Sequence, residues 1–179
     1  MKVMSNSCVR LLVPLAAAVL MTAGSGLAAS SLGSDDTSFV KNAAKGGMAE
    51  VELGRLAMQR GASAEVRDFG GRMVRDHSKA NHELQALAAS KGVDLPKSKS
   101  IGEDVSAAHL KMLKGKAFDD AYIKMMVEDH KQDVADFQKA ADGSQDPDVK
   151  KFAAKTLPTL QSHLDKIEQI QNEMGSGSK

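Results

Sequence analysis

The chain has 179 residues, of which 42% are hydrophobic and 26% are charged, and its formal net charge is +1. This composition is typical of a globular protein and excludes a disordered or collagen-like chain. With 24 basic and 23 acidic side chains there is no strong positive field, so no nucleic-acid partner is expected. The single cysteine excludes an intramolecular disulfide.

Residues 1–28 have the order of a secretory signal peptide. Lys2 and Arg10 precede an apolar run over 11–21, and small residues follow up to Ala28. This run is shorter than the roughly 20 residues of a membrane-spanning helix, and no later segment comes close. We therefore predict cleavage after Ala28, a mature chain with no transmembrane segment, and a location in the periplasm, with secretion to the medium as the alternative.

The rest of the chain has helical periodicity. Apolar residues recur at spacings of three and four, which predicts an all-α protein. Glycine stops and polar caps mark the helix boundaries. They divide this part of the chain into four long helices and one short helix, over about 39–61, 63–92, 103–114, 117–143 and 146–174.

The lengths of the connections predict the topology. Two of the three connections between long helices are short, whereas the middle one, from Gly92 to about Ala117, is long and carries the short helix. Such a crossover lets the second and third long helices run parallel, as in ferritin-like bundles. We predict a ferritin-like four-helix bundle over residues 36–174 and a flexible tail over 175–179. An up-down bundle with a decorated loop is the alternative.

Each long helix carries one metal-binding side chain near its midpoint, on an otherwise apolar face: Glu50, His77, His130 and His163. The midpoints of helices of similar length coincide whichever way the helices run, so these side chains are expected in one layer of the core. One carboxylate and three imidazoles are a set that binds copper or zinc. The interpretation without metal is a buried histidine layer held by hydrogen bonds.

Two of these helices contain the same short motif, in which an aromatic residue, Met, Asp and His follow one another at identical spacing. The first copy is Phe69, Met73, Asp76 and His77, and the second is Tyr122, Met126, Asp129 and His130. Met73 and Met126 share the face of their histidines, so their thioethers are additional candidate copper ligands, although core packing is the commoner role of a buried Met. Asp76 and Asp129 lie about 100° round the helix and are expected to accept hydrogen bonds from histidines or to form ion pairs.

Several segments in order resemble one family of exported bacterial proteins. The segments are residues 46–54, 73–81, 126–130 and 156–158, the last of which leads to His163. In these segments the chain is similar to the family known as domain of unknown function 4142 (DUF4142). Members of this family are often labelled as outer-membrane proteins. The resemblance runs from about Phe39 to Ile170. It implies a ferritin-like four-helix fold and no particular activity.

Iron chemistry and catalysis have little support in the sequence. Di-iron sites of ferritin-like proteins use a Glu-x-x-His step on two helices, and the chain has none, which makes iron less suitable than copper or zinc. Nucleophile-elbow, phosphate-loop and dinucleotide motifs are also missing. We predict a metal-handling or envelope-stress protein rather than an enzyme. The alternative is a metal-free structural or interaction protein of the envelope, and no particular protein partner is indicated.

Overall fold

A computed structural model describes residues 32–98 and 101–176, with the side chains of 101–106 and 176 left aside. The predicted signal peptide lies outside these residues. Within the described ranges the chain forms five α-helices and no strand, which confirms the all-α class. The helices are α1 (Ser34–Arg60), α2 (Ala64–Ser90), α3 (Ile101–Met112), α4 (Gly115–Gly143) and α5 (Pro147–Ser176).

Two boundaries differ from the sequence-based expectation. α1 begins before Phe39, and α5 continues through Gly175 and Ser176, into the segment that was expected to be a flexible tail over 175–179. Only residues 177–179 of that tail lie outside the described part of the chain. None of the helices in the described ranges has a stretch that is both long and apolar enough to span a lipid bilayer.

Side-chain caps begin two of the long helices. The Ser63 hydroxyl accepts a hydrogen bond from the Val66 amide at 3.2 Å, and the Asp119 carboxylate of α4 accepts the Ser63 amide at 2.8 Å. At the start of α5, Asp146 Oδ1 accepts the Val149 amide at 3.1 Å. These bonds satisfy amides that the first turn of a helix leaves without an intrahelical acceptor. The predicted starts at Ser63 and Asp146 are therefore confirmed.

The core shows the direction of each helix. One cluster joins the end of α1, the start of α2, the start of α4 and the end of α5, through Leu56, Phe69, Phe118 and Ile167 among others. A second cluster joins the opposite ends, through Val40, Leu84, Phe137 and Phe152 among others. α2 and α4 thus run in the same direction, and α3 lies in the crossover between them. This is the predicted ferritin-like order, and it excludes the up-down alternative.

α1 and α2 make a close contact at a pair of glycines. A Cβ atom on Gly70 would lie 2.6 Å from the Gly54 carbonyl oxygen, and one on Gly54 would lie 2.7 Å from the Gly70 carbonyl oxygen. Neither backbone can move away without separating the two helices. Gly71, the next residue, has open space instead, since its Cβ would come no nearer than 3.6 Å to the flexible Arg75 side chain.

We expect Gly70→Ala to lower the free energy of unfolding by about 1 to 3 kcal/mol, because the added methyl group must push the helices apart. Gly71→Ala is the matched control. It should raise the free energy of unfolding by about 0.5 to 1 kcal/mol, because alanine favours a helix interior and meets no obstacle there. Urea denaturation of both variants measures the difference. Equal effects of the two substitutions would contradict the close contact.

Candidate metal centre

The four predicted side chains meet in one buried layer between the two core clusters. They are almost inaccessible to solvent, with relative exposures of 4% for Glu50, 5% for His77, 0% for His130 and 0% for His163. The ring centroids of the three histidines form a nearly equilateral triangle, with sides of 5.7, 5.3 and 5.4 Å. The bundle therefore places side chains from all four long helices around one point.

One nitrogen of each ring is hydrogen bonded to the scaffold. The pairs are His77 Nδ1 with Glu50 Oε2 at 2.8 Å, His130 Nδ1 with the Met126 carbonyl at 2.9 Å, and His163 Nε2 with Asp76 Oδ2 at 2.8 Å. In each pair the acceptor is an oxygen, so the ring nitrogen donates. These contacts fix the orientation of the rings, because a ring cannot rotate without losing its acceptor.

The other nitrogen of each ring faces the centre and has no partner. His77 Nε2, His130 Nε2 and His163 Nδ1 are buried without a hydrogen bond. Each of the three rings offers one nitrogen to a group of candidate ligand atoms that lie within 4.8 Å of one another. Buried polar atoms are nearly always satisfied, so three such nitrogens close together suit an ion or a water molecule as their common partner. Metal-bound histidines typically donate their second N–H to a carboxylate or a carbonyl, as these rings do. The three histidines could therefore hold a metal ion.

Glu50 lies against this group of nitrogens. Its Oε2 atom holds His77, and its Oε1 atom lies 3.5 Å from His130 Nε2. Among the described residues the group of candidate ligand atoms comprises the three histidines without Glu50, whose carboxylate supplies a negative charge beside it.

An apolar wall closes one side of the centre. The Phe69 ring packs edge-on at centroid distances of 6.2 Å from His130 and 6.3 Å from His163. Met73 and Met126, the additional candidate ligands, are both fully buried in the adjacent core cluster. They pack there as core residues, and the contribution of their thioethers to metal binding stays a prediction.

The two aspartates of the repeated motif have different surroundings. Asp76 bonds to His163, on a different helix, instead of the adjacent His77, and its Oδ2 atom lies 3.5 Å from Arg72 Nε. Asp129 is half-buried, and its negative charge, with burial and Glu50, raises the pKa of Tyr122. Asp76 thus has the expected role of hydrogen-bond acceptor and ion-pair partner.

Sequence analysis missed Asp133, whose carboxyl group is hydrogen bonded to Glu50. Burial, the charge of Glu50 and this hydrogen bond raise the pKa of Asp133 well above its ordinary value, which favours the protonated carboxyl group as the donor of the hydrogen bond. The signal was its spacing, since Asp133 follows His130 by three residues and therefore shares its helix face.

Burial and the neighbouring charged groups shift the pKa values of the centre in opposite directions. Burial acts to raise the pKa of Glu50, but the charge and hydrogen bond of His77, with the charges of the other two rings, lower it to about 2. Burial acts to lower the pKa of His77, and the charge and hydrogen bond of Glu50 overcome this and raise it. Burial lowers the pKa of His130, and it lowers that of His163 to about 4 despite the bond to Asp76.

Solved structures share the fold. A DUF305 fragment from Deinococcus radiodurans superposes with a TM-score of 0.71 at 14% identity, over 80% of this chain and 99% of the fragment. CopM in its Cu(I)-bound form superposes with a TM-score of 0.66 at 15% identity, over 78% of this chain and 96% of CopM. The Cu(II)-bound form of CopM gives 0.66 at 15% identity, over 78% and 97%. At these identities the likeness shows the fold alone.

No curated protein sequence matches the chain. One family profile, described as "Domain of unknown function (DUF4142)", matches residues 22–170. This span reaches into every long helix and contains all the residues of the candidate centre. The predicted resemblance is therefore confirmed, and the chain belongs to the DUF4142 family.

Proposed function

We propose that this protein binds one transition-metal ion between His77, His130 and His163, with Glu50 as a charge partner and fourth ligand. The observation that carries the proposal is the convergence of three unpartnered ring nitrogens on rings whose other nitrogens are held. The protein would act in metal handling or envelope stress defence in the periplasm, which the signal-peptide pattern supports.

Copper and zinc suit this ligand set best. Three imidazoles with an open fourth position are a common zinc arrangement, and imidazole is equally a copper ligand. CopM, which has the same fold, binds Cu(I) and Cu(II). Iron is less suitable, because ferritin-like di-iron sites are rich in carboxylates, whereas the present centre is formed mainly by imidazoles.

Metal binding would be coupled to a proton. The inner nitrogen of a ring must be unprotonated to bind a metal, and the Glu50 carboxylate favours the protonated form of His77. An arriving cation would displace that proton and take its place beside Glu50. Affinity would therefore fall as the solution becomes more acidic.

We expect the metal-free protein to bind about one equivalent of Cu(I), Cu(II) or Zn(II). Single substitutions of each of the three buried histidines by Gln should weaken binding at least about 10-fold, since each variant loses one ligand. Competition titration against a chromogenic chelator measures the affinity. Saturating metal should also raise the Tm of the wild type.

His82→Gln and His109→Gln are the matched controls, because both side chains are exposed. They should bind as tightly as the wild type. Circular dichroism should show helical content in every variant, so that loss of binding is not loss of fold. Equal binding by the buried-histidine variants and the wild type would contradict the proposed centre.

Asp76 is expected to act as a positioning residue. Asp76→Ala should weaken metal binding about 10- to 100-fold, because His163 loses the acceptor that keeps Nδ1 directed at the centre. Asp76→Asn retains an oxygen acceptor and should restore most of the affinity. Asp68→Ala, an exposed aspartate on the same helix, should have no effect. An Asp76→Ala variant with wild-type affinity would show that the hydrogen bond does not position the ring.

The metal-free alternative is a buried histidine layer held by hydrogen bonds. Each of the three rings has one hydrogen bond to the scaffold in the described part of the chain, whereas the inner nitrogens have none, and this second observation favours the metal centre. The metal-free protein nevertheless has a distinctive pH dependence, because burial of His163 makes its protonation unfavourable in the folded state.

The pKa of His163 is about 4 in the folded chain and near 6.5 when unfolded, so the unfolded state binds more protons between these values. In EDTA, the wild type should lose about 2 kcal/mol more stability than His163→Gln as the pH falls from 6.5 to 4.5. Urea denaturation at each pH measures this difference. His77, Asp133 and Glu50 titrate in both proteins, so the difference between the two proteins reports the contribution of His163. Parallel plots of unfolding free energy against pH would contradict the buried, neutral state of His163.

A further inference from the structure

Two neighbouring cavities lie on the Glu50 side of the centre. The larger is an open groove of about 340 Å³ between α1 and α4. The smaller has a volume of about 20 Å³ and is lined by Glu50 and His77, both of which have an unpartnered buried polar atom. A space of about 10 to 15 Å³ already holds one water molecule, so the smaller cavity is large enough for one water or one dehydrated cation.

The two cavities have a common wall. Ala43, Asp133 and Phe137 line both of them. Asp133 lines the groove, and its carboxyl group is hydrogen bonded to Glu50. The only ionisable side chain in this wall therefore lies between solvent and the candidate centre.

The groove itself carries an excess of negative charge. Asp35, Asp36 and Asp136 line it together with a single basic residue, Lys139. Asp36 also accepts the Asp146 amide at 3.0 Å and so has a structural role, whereas Asp35 and Asp136 are exposed. An acidic cleft raises the local concentration of cations and their rate of association. The opposite side of the centre is closed by the apolar Phe69 ring.

We infer that metal ions reach the histidines through the groove between α1 and α4, and that Asp133 is the transfer ligand that passes the cation to Glu50 and His77. This inference rests on the proposed function. On this route the cation would first contact the exposed Asp35 and Asp136. It would then contact Asp133 and finally enter the small cavity beside Glu50. Oxygen ligands on the route would replace the water that the cation loses before the imidazole nitrogens bind it.

The test uses Ala43→Leu, because the larger side chain would narrow the passage between the two cavities. Cu(II) is the probe, because it binds such nitrogen and oxygen sites more tightly than other divalent first-row metals. Stopped-flow mixing of Cu(II) with the metal-free protein measures association, and mixing of the loaded protein with excess EDTA measures dissociation. We expect Ala43→Leu to slow both rates about 10-fold and to leave Kd within about 2-fold of the wild type, since an obstacle on a route affects both directions equally.

Ala121→Leu is the matched control, because Ala121 is partly buried against the other core cluster and lines neither cavity. It should leave both rates unchanged. A fall in association with no change in dissociation for Ala43→Leu would make Ala43 part of the binding site and overturn its role in the route.

A second variant tests the charge of the groove without altering the core. The double substitution of Asp35 and Asp136 by Asn should slow Cu(II) association about 3-fold at low ionic strength, and the difference should vanish at high salt. Asp165→Asn, at an exposed position on α5, should not change the rate.

If neither Ala43→Leu nor the double variant changes association relative to its control, the route through the groove is wrong while histidine-dependent binding stands. If the wild type does not bind Cu(II) at equilibrium, both this inference and the proposed copper function are contradicted.

Discussion

The hydrogen bond from each histidine to the scaffold is the constraint on which the centre depends. A ring that was free to turn would satisfy its inner nitrogen by finding another partner. The acceptors for His77, His130 and His163 prevent this, and they leave three buried nitrogens without hydrogen bonds. The scaffold thus presents three imidazole nitrogens together as a preformed group of candidate metal ligands.

The sequence contains enough information for the architecture and for the four residues of the layer. Helical periodicity and the long crossover predict the bundle, and a polar residue in the middle of each apolar face predicts that Glu50, His77, His130 and His163 meet. The hydrogen-bond partners are a different matter. Asp76 bonds to His163 rather than to its neighbour in sequence, because the rotation of α2 against α5 is set by packing. Spacing along one helix carries no information about that rotation.

The two sides of the layer have opposite character, which no single helix reveals. Phe69 packs against two of the rings on one side, whereas the carboxyl groups of Glu50 and Asp133 are hydrogen bonded on the other. A cation would therefore be attracted from the carboxylate side and excluded from the aromatic side. The sequence did not predict the role of Asp133 for the same reason that it did not predict the partner of Asp76. Asp133 lies on α4 and contacts Glu50 on α1, and such contacts depend on how the helices pack.

The close contact of Gly54 with Gly70 has a mechanical consequence for the whole molecule. It holds α1 and α2 together in one hairpin that carries Glu50 and His77, while α4 and α5 form a second hairpin that carries His130 and His163. A metal ion bound between them would link the two hairpins near their middle, in addition to the two apolar clusters that join them on either side. Loading would therefore strengthen a joint that apolar packing already holds in the metal-free protein.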